Sequence, residues 1–217
     1  MNIHTINVED SLACQFLAEL RDVDIQQDRL RFRRNLERMG ELMAYEMSKS
    51  LVYREKLITT PLTETSVKVL AEQPVLIPIL RAAVPFFDGV LNYFDQADAG
   101  FIGAYRSDDF VRSGEIELGY SAVPDITNRV LILIDPMLAT GKSLVDTTRQ
   151  VFSQGTPKHL HILSLIATPE GLENINKALP PIPIDVWCGA IDKELNDKAY
   201  IVPGLGDAGD LAYGTKL

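Results

Sequence analysis

The fold is decided by residues 129–143, which read R-V-L-I-L-I-D-P-M-L-A-T-G-K-S. Val130–Ile134 form an unbroken apolar run, which is typical of a strand covered on both faces of a parallel sheet. Asp135 and Pro136 end this run, and apolar residues then recur at helical spacing from residue 144 to residue 152. The stretch therefore predicts a strand, a loop and a helix, with the loop at the carboxyl end of the strand, where open α/β sheets bind ligands.

The loop between the predicted strand and helix has the residues of a phosphate site. The first turn of a helix has N–H groups without intrahelical partners and the positive end of the helix dipole, and both favour an anion. Thr140 and Ser143 add hydroxyl donors, while Gly141 allows the backbone to come close to a ligand. Asp135 lies beside them as an acceptor for sugar hydroxyls. These residues predict a phosphate cradle next to a sugar-binding carboxylate.

Two other interpretations of this loop compete with a phosphate cradle. An ordinary strand–helix turn, in which Gly141 and Ser143 serve geometry and capping, remains open from the loop alone. A nucleoside-triphosphatase P-loop is excluded, because it needs a glycine five residues before the Gly-Lys pair. That position is Pro136, which has a fixed φ and no backbone N–H to donate.

The length and composition of the chain limit the classes of protein to which it can belong. The chain has 217 residues, which suits a single α/β domain. Its formal net charge of −9 at pH 7 argues against a general nucleic-acid binder, because affinity for the phosphate backbone needs a basic surface. No apolar run is long enough to span a bilayer, and no signal peptide is predicted. Cys14 and Cys188 lie in apolar contexts and are expected to be buried free thiols in a reducing cytoplasm.

Further apolar segments predict the rest of the sheet and its helices. Strands are predicted at residues 56–60, 75–80, 99–105, 161–167 and 184–190, and helices at residues 12–20, 29–51, 86–94 and 172–179. Pro78 inside one strand indicates an edge position or a bulge. Met39, Met43 and Met47 form a stripe on the second helix, which is typical of a core or a subunit interface.

Two predicted strands end in an arginine. Arg81 follows one and Arg106 follows another, and a polar loop at residues 107–114 comes next, with a hairpin expected at residues 115–120. Each arginine could bind an anion, or it could be only a surface charge. If both lie at the same sheet edge as Asp135, their planar guanidinium groups suit a phosphate, which they bind through two parallel hydrogen bonds.

Two smaller patterns complete the candidates. His159 and His161 share one face of a strand and form a possible metal pair, but no third ligand is apparent near them in the sequence, so a structural role is expected. Residues 200–214 contain four glycines among apolar residues, which favours an ordered loop that approaches a flat ligand over a flexible terminus.

Three of these segments resemble the motifs of one family, the uracil phosphoribosyltransferases. Residues 135–143 are similar to the family's loop for 5-phosphoribosyl-1-diphosphate (PRPP). Residues 200–210, Y-I-V-P-G-L-G-D-A-G-D, are similar to its uracil-binding hood, and residues 78–82, P-I-L-R-A, to its pyrophosphate loop. Likeness continues through Y-R at 105–106, A-T-P-E-G at 167–171 and A-I-D-K-E-L-N-D-K at 190–198, and it covers nearly the whole chain.

The resemblance implies a fold and a reaction. The implied fold is a single phosphoribosyltransferase type I domain over residues 1–217, an α/β fold with a central, mostly parallel sheet flanked by helices. N-terminal helices and a hood formed mainly by residues 190–217 complete it. The implied reaction transfers the 5-phosphoribosyl group of PRPP to N1 of uracil, giving UMP and pyrophosphate in pyrimidine salvage. Mg²⁺ is the implied cofactor, bound mainly through PRPP, with no metal site formed by the protein alone.

The resemblance also assigns residues to the site. The implied catalytic residues are Arg106, Asp135 and Asp207. The implied PRPP-binding residues are Arg81, Arg106, Asp135, Pro136, Met137, Leu138, Ala139, Thr140, Gly141, Lys142, Ser143 and Asp207. The implied uracil-binding residues are Ile201, Gly206, Asp207 and Ala208.

Some positions depart from the family pattern, and they bear on fine specificity and allostery more than on the reaction. Lys142, Ala83 and Leu211 replace the family's usual residues, and residues 21–33 are longer than their counterpart. The alternatives are a phosphoribosyltransferase for another base and a non-catalytic regulator that responds to nucleotide or RNA. The resemblance further implies a cytoplasmic homodimer or larger homo-oligomer, with GTP as a possible allosteric activator and with neither nucleic acid nor membrane as a partner.

Overall fold

A computed structural model describes residues 1–6, 10–106 and 116–215 of the chain. For residues 104–106 and 116–119 it describes the backbone alone. The polar loop predicted at residues 107–114 therefore lies outside the described residues. Within the described ranges, no helix combines the length and apolar character needed to cross a membrane.

A central, mostly parallel sheet forms the middle layer. The strands of the chain are β1 (Asn2–Thr5), β2 (Tyr53–Thr59), β3 (Glu64–Leu70), β4 (Val75–Leu80), β5 (Asp98–Ala99), β6 (Phe101–Arg106), β7 (Ile116–Ala122), β8 (Val130–Ile134), β9 (Met137–Leu138), β10 (His159–Ala167), β11 (Ile184–Ile191), β12 (Glu194–Leu195) and β13 (Ile201–Val202). The sheet has the order β1-β11-β10-β8-β4-β6-β7, and only the β6–β7 pair in this path is antiparallel. The apolar runs at β4, β8, β10 and β11 lie in its interior, as predicted.

Helices cover both faces of this sheet. They are α1 (Leu12–Arg21), α2 (Arg29–Ser48), α3 (Val84–Tyr93), α4 (Lys142–Phe152), α5 (Pro169–Ala178) and α6 (Ala208–Tyr213). Leu20, Met39 and Phe86 belong to the core on one face of the sheet, which packs α1, α2, α3 and α6. Leu144 and Leu172 belong to the core on the other face, which packs α4 and α5. This arrangement confirms the predicted α/β class with helices on both faces.

Pro78 lies in a central strand, so the predicted edge position is wrong. On one side β4 pairs with β8, and Pro78 lies opposite Ile134. On the other side β4 pairs first with β5 and then with β6, and the pairing is interrupted between Leu76 and Ile79. Because proline cannot donate an N–H to a ladder, this interruption is what allows Pro78 inside the sheet.

Two further expectations need correction, and a third is decided between its alternatives. The hairpin expected at residues 115–120 is a single strand, β7, because its pairing partner is β6. The methionine stripe of α2, expected in a core or a subunit interface, is completely buried within the chain's own core. Cys14 is exposed, because it lies on the solvent side of α1, whereas Cys188 is buried as expected.

Candidate active site

The parallel strands bring three predicted site positions to one edge of the sheet. Arg81 directly follows β4, Asp135 directly follows β8, and Arg106 is the last residue of β6. Since β4, β6 and β8 are mutually parallel neighbours, their carboxyl ends share this edge. For Arg106 this places the backbone only, because its side chain lies outside the described part of the chain.

The phosphate loop begins at Asp135 and ends where α4 begins. Gly141 caps α4 with a φ of +77°, a left-handed conformation that glycine adopts without steric cost. A Cβ at this position would also lie 2.8 Å from the carbonyl oxygen of Gly171. Lys142 and Ser143 are the first two residues of α4, where the N–H groups of the first turn and the helix dipole favour an anion.

Contacts from α5 and the residue before it hold the loop in place. The hydroxyl of Thr168 donates to the carbonyl of Ala139 at 2.6 Å, and the amide of Asn174 donates to the carbonyl of Thr140 at 3.0 Å. These bonds turn the loop's carbonyl oxygens toward α5 and away from the start of α4, where they would repel a phosphate. Sequence reasoning assigned a role to neither residue: Thr168 lies within the A-T-P-E-G likeness at residues 167–171, whereas Asn174 lies outside it.

Asp135 has an unusual charge state for an aspartate. Burial raises the pKa of Asp135 to about 7, and a hydrogen bond from the backbone N–H of Met137 opposes this rise only in part. That bond is long, with 3.3 Å between N and Oδ1. The carboxyl is therefore partly protonated near neutral pH until a ligand supplies hydrogen-bond donors that favour the charged form.

The hood is a glycine-rich turn between β13 and α6. The peptide bond between Val202 and Pro203 is cis, and Gly204 and Gly206 have φ values of +55° and +94°. Asp207 caps α6, because its side chain accepts a hydrogen bond from the N–H of Asp210 at 3.0 Å. The predicted ordered loop is therefore present, and Asp207, which was expected to bind ligand, also has a structural role.

A bidentate ion pair anchors the hood to α1. Arg21 donates to both carboxylate oxygens of Asp192, at 2.7 and 2.9 Å. Arg21 also donates to the carbonyl of Gly204 at 2.9 Å, while the N–H of Gly204 donates to Asp192 at 2.9 Å. The pair thus satisfies both backbone groups of one hood glycine. Neither residue was predicted, because 171 positions separate them in the sequence.

Arg81 links the pyrophosphate loop to the hood. Its Nη2 donates to Oδ1 of Asp210 at 3.0 Å. Its Nε is buried and has no hydrogen-bond partner among the described residues. A buried guanidinium donor without a partner is costly, so this group is suited to an anionic ligand that would satisfy it.

A small cavity joins the three predicted binding segments. Its volume is about 130 Å³, and it is lined by Ala82, Met137, Ala139, Ala199, Tyr200, Ile201, Gly206, Asp207, Ala208 and Gly209. The lining thus combines the pyrophosphate loop, the phosphate loop and the hood. A larger cavity of about 520 Å³ lies between the hood and residues 26–29, and no phosphate-loop residue lines it. The smaller cavity is therefore the candidate site.

The histidine pair has a third potential ligand, contrary to expectation. Asp185 on β11 lies next to His159 and His161, and potential ligand atoms of the three residues lie within 4.8 Å of one another. The sequence did not reveal this group, because only the register of β10 and β11 brings Asp185 opposite His161.

Comparisons with known proteins agree on one family. The sequence profile of uracil phosphoribosyltransferase matches residues 8–215. A uracil phosphoribosyltransferase of Porphyromonas gingivalis strain W83 is 48% identical over 217 residues, which is 100% of both chains. One of Pyrococcus furiosus is 39% identical over 203 residues, covering 92% of this chain and 85% of the other.

Solved structures agree on the fold. The AQ2163 protein of Aquifex aeolicus superposes with a TM-score of 0.87 at 31% identity, covering 99% of both chains. A hypoxanthine phosphoribosyltransferase of Staphylococcus aureus superposes with a TM-score of 0.51 at 16% identity, covering 75% of this chain and 76% of the other. At that identity, the second match supports the shared fold alone.

Proposed function

Because this chain belongs to the uracil phosphoribosyltransferase family, we propose that it transfers the 5-phosphoribosyl group of PRPP to N1 of uracil. The products are UMP and pyrophosphate, and the enzyme is a pentosyltransferase of pyrimidine salvage. The observation that supports this proposal best is the cavity shared by the phosphate loop, the pyrophosphate loop and the hood. A transfer reaction needs its two substrates to meet in one place, and these three segments surround that place.

The phosphate loop holds the sugar phosphate of PRPP. The 5′-phosphate lies at the start of α4, where Thr140, Gly141, Lys142 and Ser143 supply backbone and side-chain donors. Asp135 accepts hydrogen bonds from the ribose hydroxyls, and this contact favours its ionised form. The remaining loop residues, Pro136 to Ala139, shape the backbone that connects the two groups.

The two strand-end arginines stabilise the leaving group. Breaking the bond between C1 and the pyrophosphate oxygen leaves positive charge on the sugar and negative charge on pyrophosphate. Arg81 and Arg106 at the sheet edge supply fixed positive charge for the departing anion, which stabilises the transition state without a protein nucleophile. Arg81 exchanges Asp210 for pyrophosphate when PRPP binds, and its buried Nε then gains an acceptor.

The hood reads the base through its backbone. Uracil presents one N–H donor between two carbonyl acceptors, a pattern that alternating C=O and N–H groups match. Ile201, Gly206 and Ala208 line the cavity and supply these groups. Holding uracil there places N1 in line with the breaking bond, which is the positioning contribution to catalysis.

Asp207 is the residue of this cavity that could assist a bound Mg²⁺. Its carboxylate is exposed and lines the cavity, and hard oxygen ligands are those that Mg²⁺ prefers. Asp207 would stand beside an ion held mainly through PRPP oxygens, and the ion would supply positive charge for the departing pyrophosphate.

A base-specificity assay tests the proposed function. Purified protein with PRPP and Mg²⁺ is expected to convert uracil to UMP, with hypoxanthine, guanine and orotate as competing bases. Preference for one of the other bases would contradict the uracil assignment. Ligand binding without turnover would indicate the alternative, a regulator on the same fold.

The proposal extends to assembly and regulation. We expect a homodimer or larger homo-oligomer in the cytoplasm, with GTP as an allosteric activator. Assays with and without GTP at subsaturating PRPP test the activation. Equal rates in both would remove GTP from the proposal.

A further inference from the structure

All three histidines of the chain lie together at the edge of the sheet opposite to the phosphate loop. His4 lies on β1, and His159 and His161 lie on β10. Asp185 on β11 pairs in register with Asn2 of β1 on one side and with His161 of β10 on the other. Because these positions are near the amino ends of parallel strands, whereas the phosphate loop follows a carboxyl end, the cluster is separate from the site described above.

Asp185 is the centre of the cluster. Nε2 of His4 donates to its Oδ1 at 2.8 Å, and Nε2 of His159 donates to its Oδ2 at 2.6 Å. The amide of Asn2 donates to Oδ1 at 2.9 Å. Partial burial raises the pKa of Asp185, but the bonds from His4, Asn2 and His159 outweigh burial and lower this pKa to about 2. Donors from β1 and β10 thus fix both oxygens of this side chain in place.

Contacts with His159 and Trp187 fix the ring of His161. It is buried, and burial lowers the pKa of His161 to about 4, with a smaller contribution from His159. The rings of His159 and His161 are stacked, with 4.3 Å between centroids and 5° between planes. Nε1 of Trp187 donates to Nδ1 of His161 at 3.2 Å, which orients the ring.

We propose that His159, His161 and Asp185 bind a divalent transition-metal ion of the Zn²⁺ class, with His4 at its side as a possible fourth ligand. The potential ligand atoms of the first three residues already lie within 4.8 Å of one another. Tetrahedral coordination by nitrogen and oxygen brings ligand atoms to about 3.4 Å apart, so the side chains need only small movements. Two imidazoles and one carboxylate favour Zn²⁺, Ni²⁺ or Cu²⁺ over Mg²⁺ or Ca²⁺, which prefer oxygen ligands.

Access and position suit a structural ion. His4 and His159 are partly exposed, so an ion can enter from their side. The ligands come from β10 and β11, with His4 on β1, which is only four residues long. The ion would thus fasten the short edge strand to the sheet, at the end remote from PRPP and uracil.

Metal binding changes the environment of the chain's single tryptophan. If Nδ1 of His161 binds the ion, its lone pair is no longer available to Trp187. If Nε2 binds instead, the imidazole proton moves to Nδ1, which then no longer accepts from Trp187. In both cases Trp187 loses this hydrogen bond, and its ring, which is also stacked on His4 at 4.1 Å, lies beside the ion. Since the chain has one tryptophan, its fluorescence reports on this site alone.

The test uses the full chain with Cys14 replaced, because an exposed thiol also binds soft metals. Zn²⁺ affinity is measured against a chromophoric chelator in excess Mg²⁺, which masks sites made of oxygen alone. Co²⁺ is titrated in parallel, and its visible absorption and Trp187 fluorescence are recorded. The variants are His159→Gln and His161→Gln. The matched control is Asp98→Asn, which removes an exposed carboxylate at the same end of the sheet.

We expect one Zn²⁺ per chain, quenching of Trp187 emission by Co²⁺, and affinity reduced by roughly tenfold or more in His159→Gln, with no change in Asp98→Asn. If His161→Gln does not fold, the His159→Gln variant, at a partly exposed position, still decides the test. Equal Zn²⁺ affinity in His159→Gln and Asp98→Asn, or no saturable binding, would show a hydrogen-bonded cluster without metal and overturn the proposal. Uracil phosphoribosyltransferase activity is measured separately, and its outcome does not depend on this site.

Discussion

At the scale of single residues, the charge state of Asp135 affects both the stability of the chain and the proposed contact with ribose. The pKa of this carboxyl in the folded chain is about 7, above its ordinary value of 3.8. Its contribution to folding stability is therefore fully present below about pH 3.8 and is lost as the pH rises through about 7. Each unit of pKa shift corresponds to about 1.4 kcal/mol. Asp135→Asn, which carries no charge, is expected to be more stable than the natural chain by a larger margin at pH 8 than at pH 5, as measured by urea unfolding.

The same carboxyl predicts a pH dependence of PRPP binding. The ionised form is the better acceptor for ribose hydroxyls, so the natural chain gains affinity between pH 6 and pH 8. Asp135→Asn lacks this gain. PRPP itself titrates in this range, and the ratio of the two dissociation constants at each pH cancels that contribution. A ratio that stays constant between pH 6 and pH 8 would contradict the role of Asp135.

Arg106 is predicted to act on the pyrophosphate from the end of β6. Removing a donor that stabilises transition-state charge costs roughly 2–4 kcal/mol, so Arg106→Ala should lower kcat/KM for PRPP accordingly. The uracil KM should change little, because the hood is a separate segment. An unchanged kcat/KM for PRPP would remove Arg106 from the site.

Gly206 carries the prediction about base recognition. Its φ of +94° is strained for any residue with a side chain, although a Cβ would have room, with Leu211 at 3.7 Å. Gly206→Val should therefore alter the backbone groups that face uracil and abolish uracil use, while PRPP binding measured by calorimetry persists. Val202→Ala, at an exposed position in the same hood, is the control and should keep activity. Normal uracil kinetics in Gly206→Val would show that this segment does not read the base.

At the scale of elements, the ion pair between α1 and the hood is predicted to control how firmly the proposed base site is held. Arg21 and Asp192 together satisfy the backbone of Gly204, so Arg21→Met leaves buried polar groups unpaired. We expect a loss of about 1–3 kcal/mol in stability and a higher KM for uracil, with PRPP binding unchanged.

A second bidentate pair supplies the control for this prediction. Arg31 donates to both carboxylate oxygens of Glu19, at 2.8 and 2.7 Å, and joins α1 to α2 without contacting the hood. Arg31→Met should therefore cost stability without changing the uracil KM. A uracil KM that rises equally in both variants would show a general loss of stability and not a specific role of Arg21.

At the scale of the whole molecule, the local sequence pattern predicted the interior strands of the sheet. It missed the strands that are recognisable only from their pairing with distant segments. The runs at β4, β8 and β10 were predictable because strands buried on both faces must be continuously apolar. The strands β1 and β3 were missed, since their exposed residues show no apolar run.

In the candidate site, too, contiguous segments were predictable and contacts between distant segments were not. Each of the phosphate loop and the hood is one contiguous segment, so their residues could be predicted from the sequence. Their supports, Thr168 and the Arg21–Asp192 pair, arise only from packing between distant segments. Asp185 escaped notice for the same reason, because strand register alone brings it next to the histidines.

The β2–β3 hairpin is the feature that favours assembly of several copies. It forms a two-stranded sheet apart from the central one, and an isolated hairpin has marginal stability in water. Leu57 on β2 is 65% exposed and Leu62 at its turn is 94% exposed, which is a poor surface for a monomer. We expect a second copy to cover this surface, because the methionine stripe of α2 is already buried within the chain.

Replacing one exposed leucine tests this assembly. Leu57→Asp should shift the molecular mass in analytical ultracentrifugation toward the monomer, because a charge on the covered surface opposes association. Leu12→Asp is the matched control, since Leu12 on α1 is 67% exposed and lies outside the hairpin. The control should keep the mass of the natural chain. An unchanged mass in Leu57→Asp, or an equal shift in both variants, would exclude the hairpin as the interface.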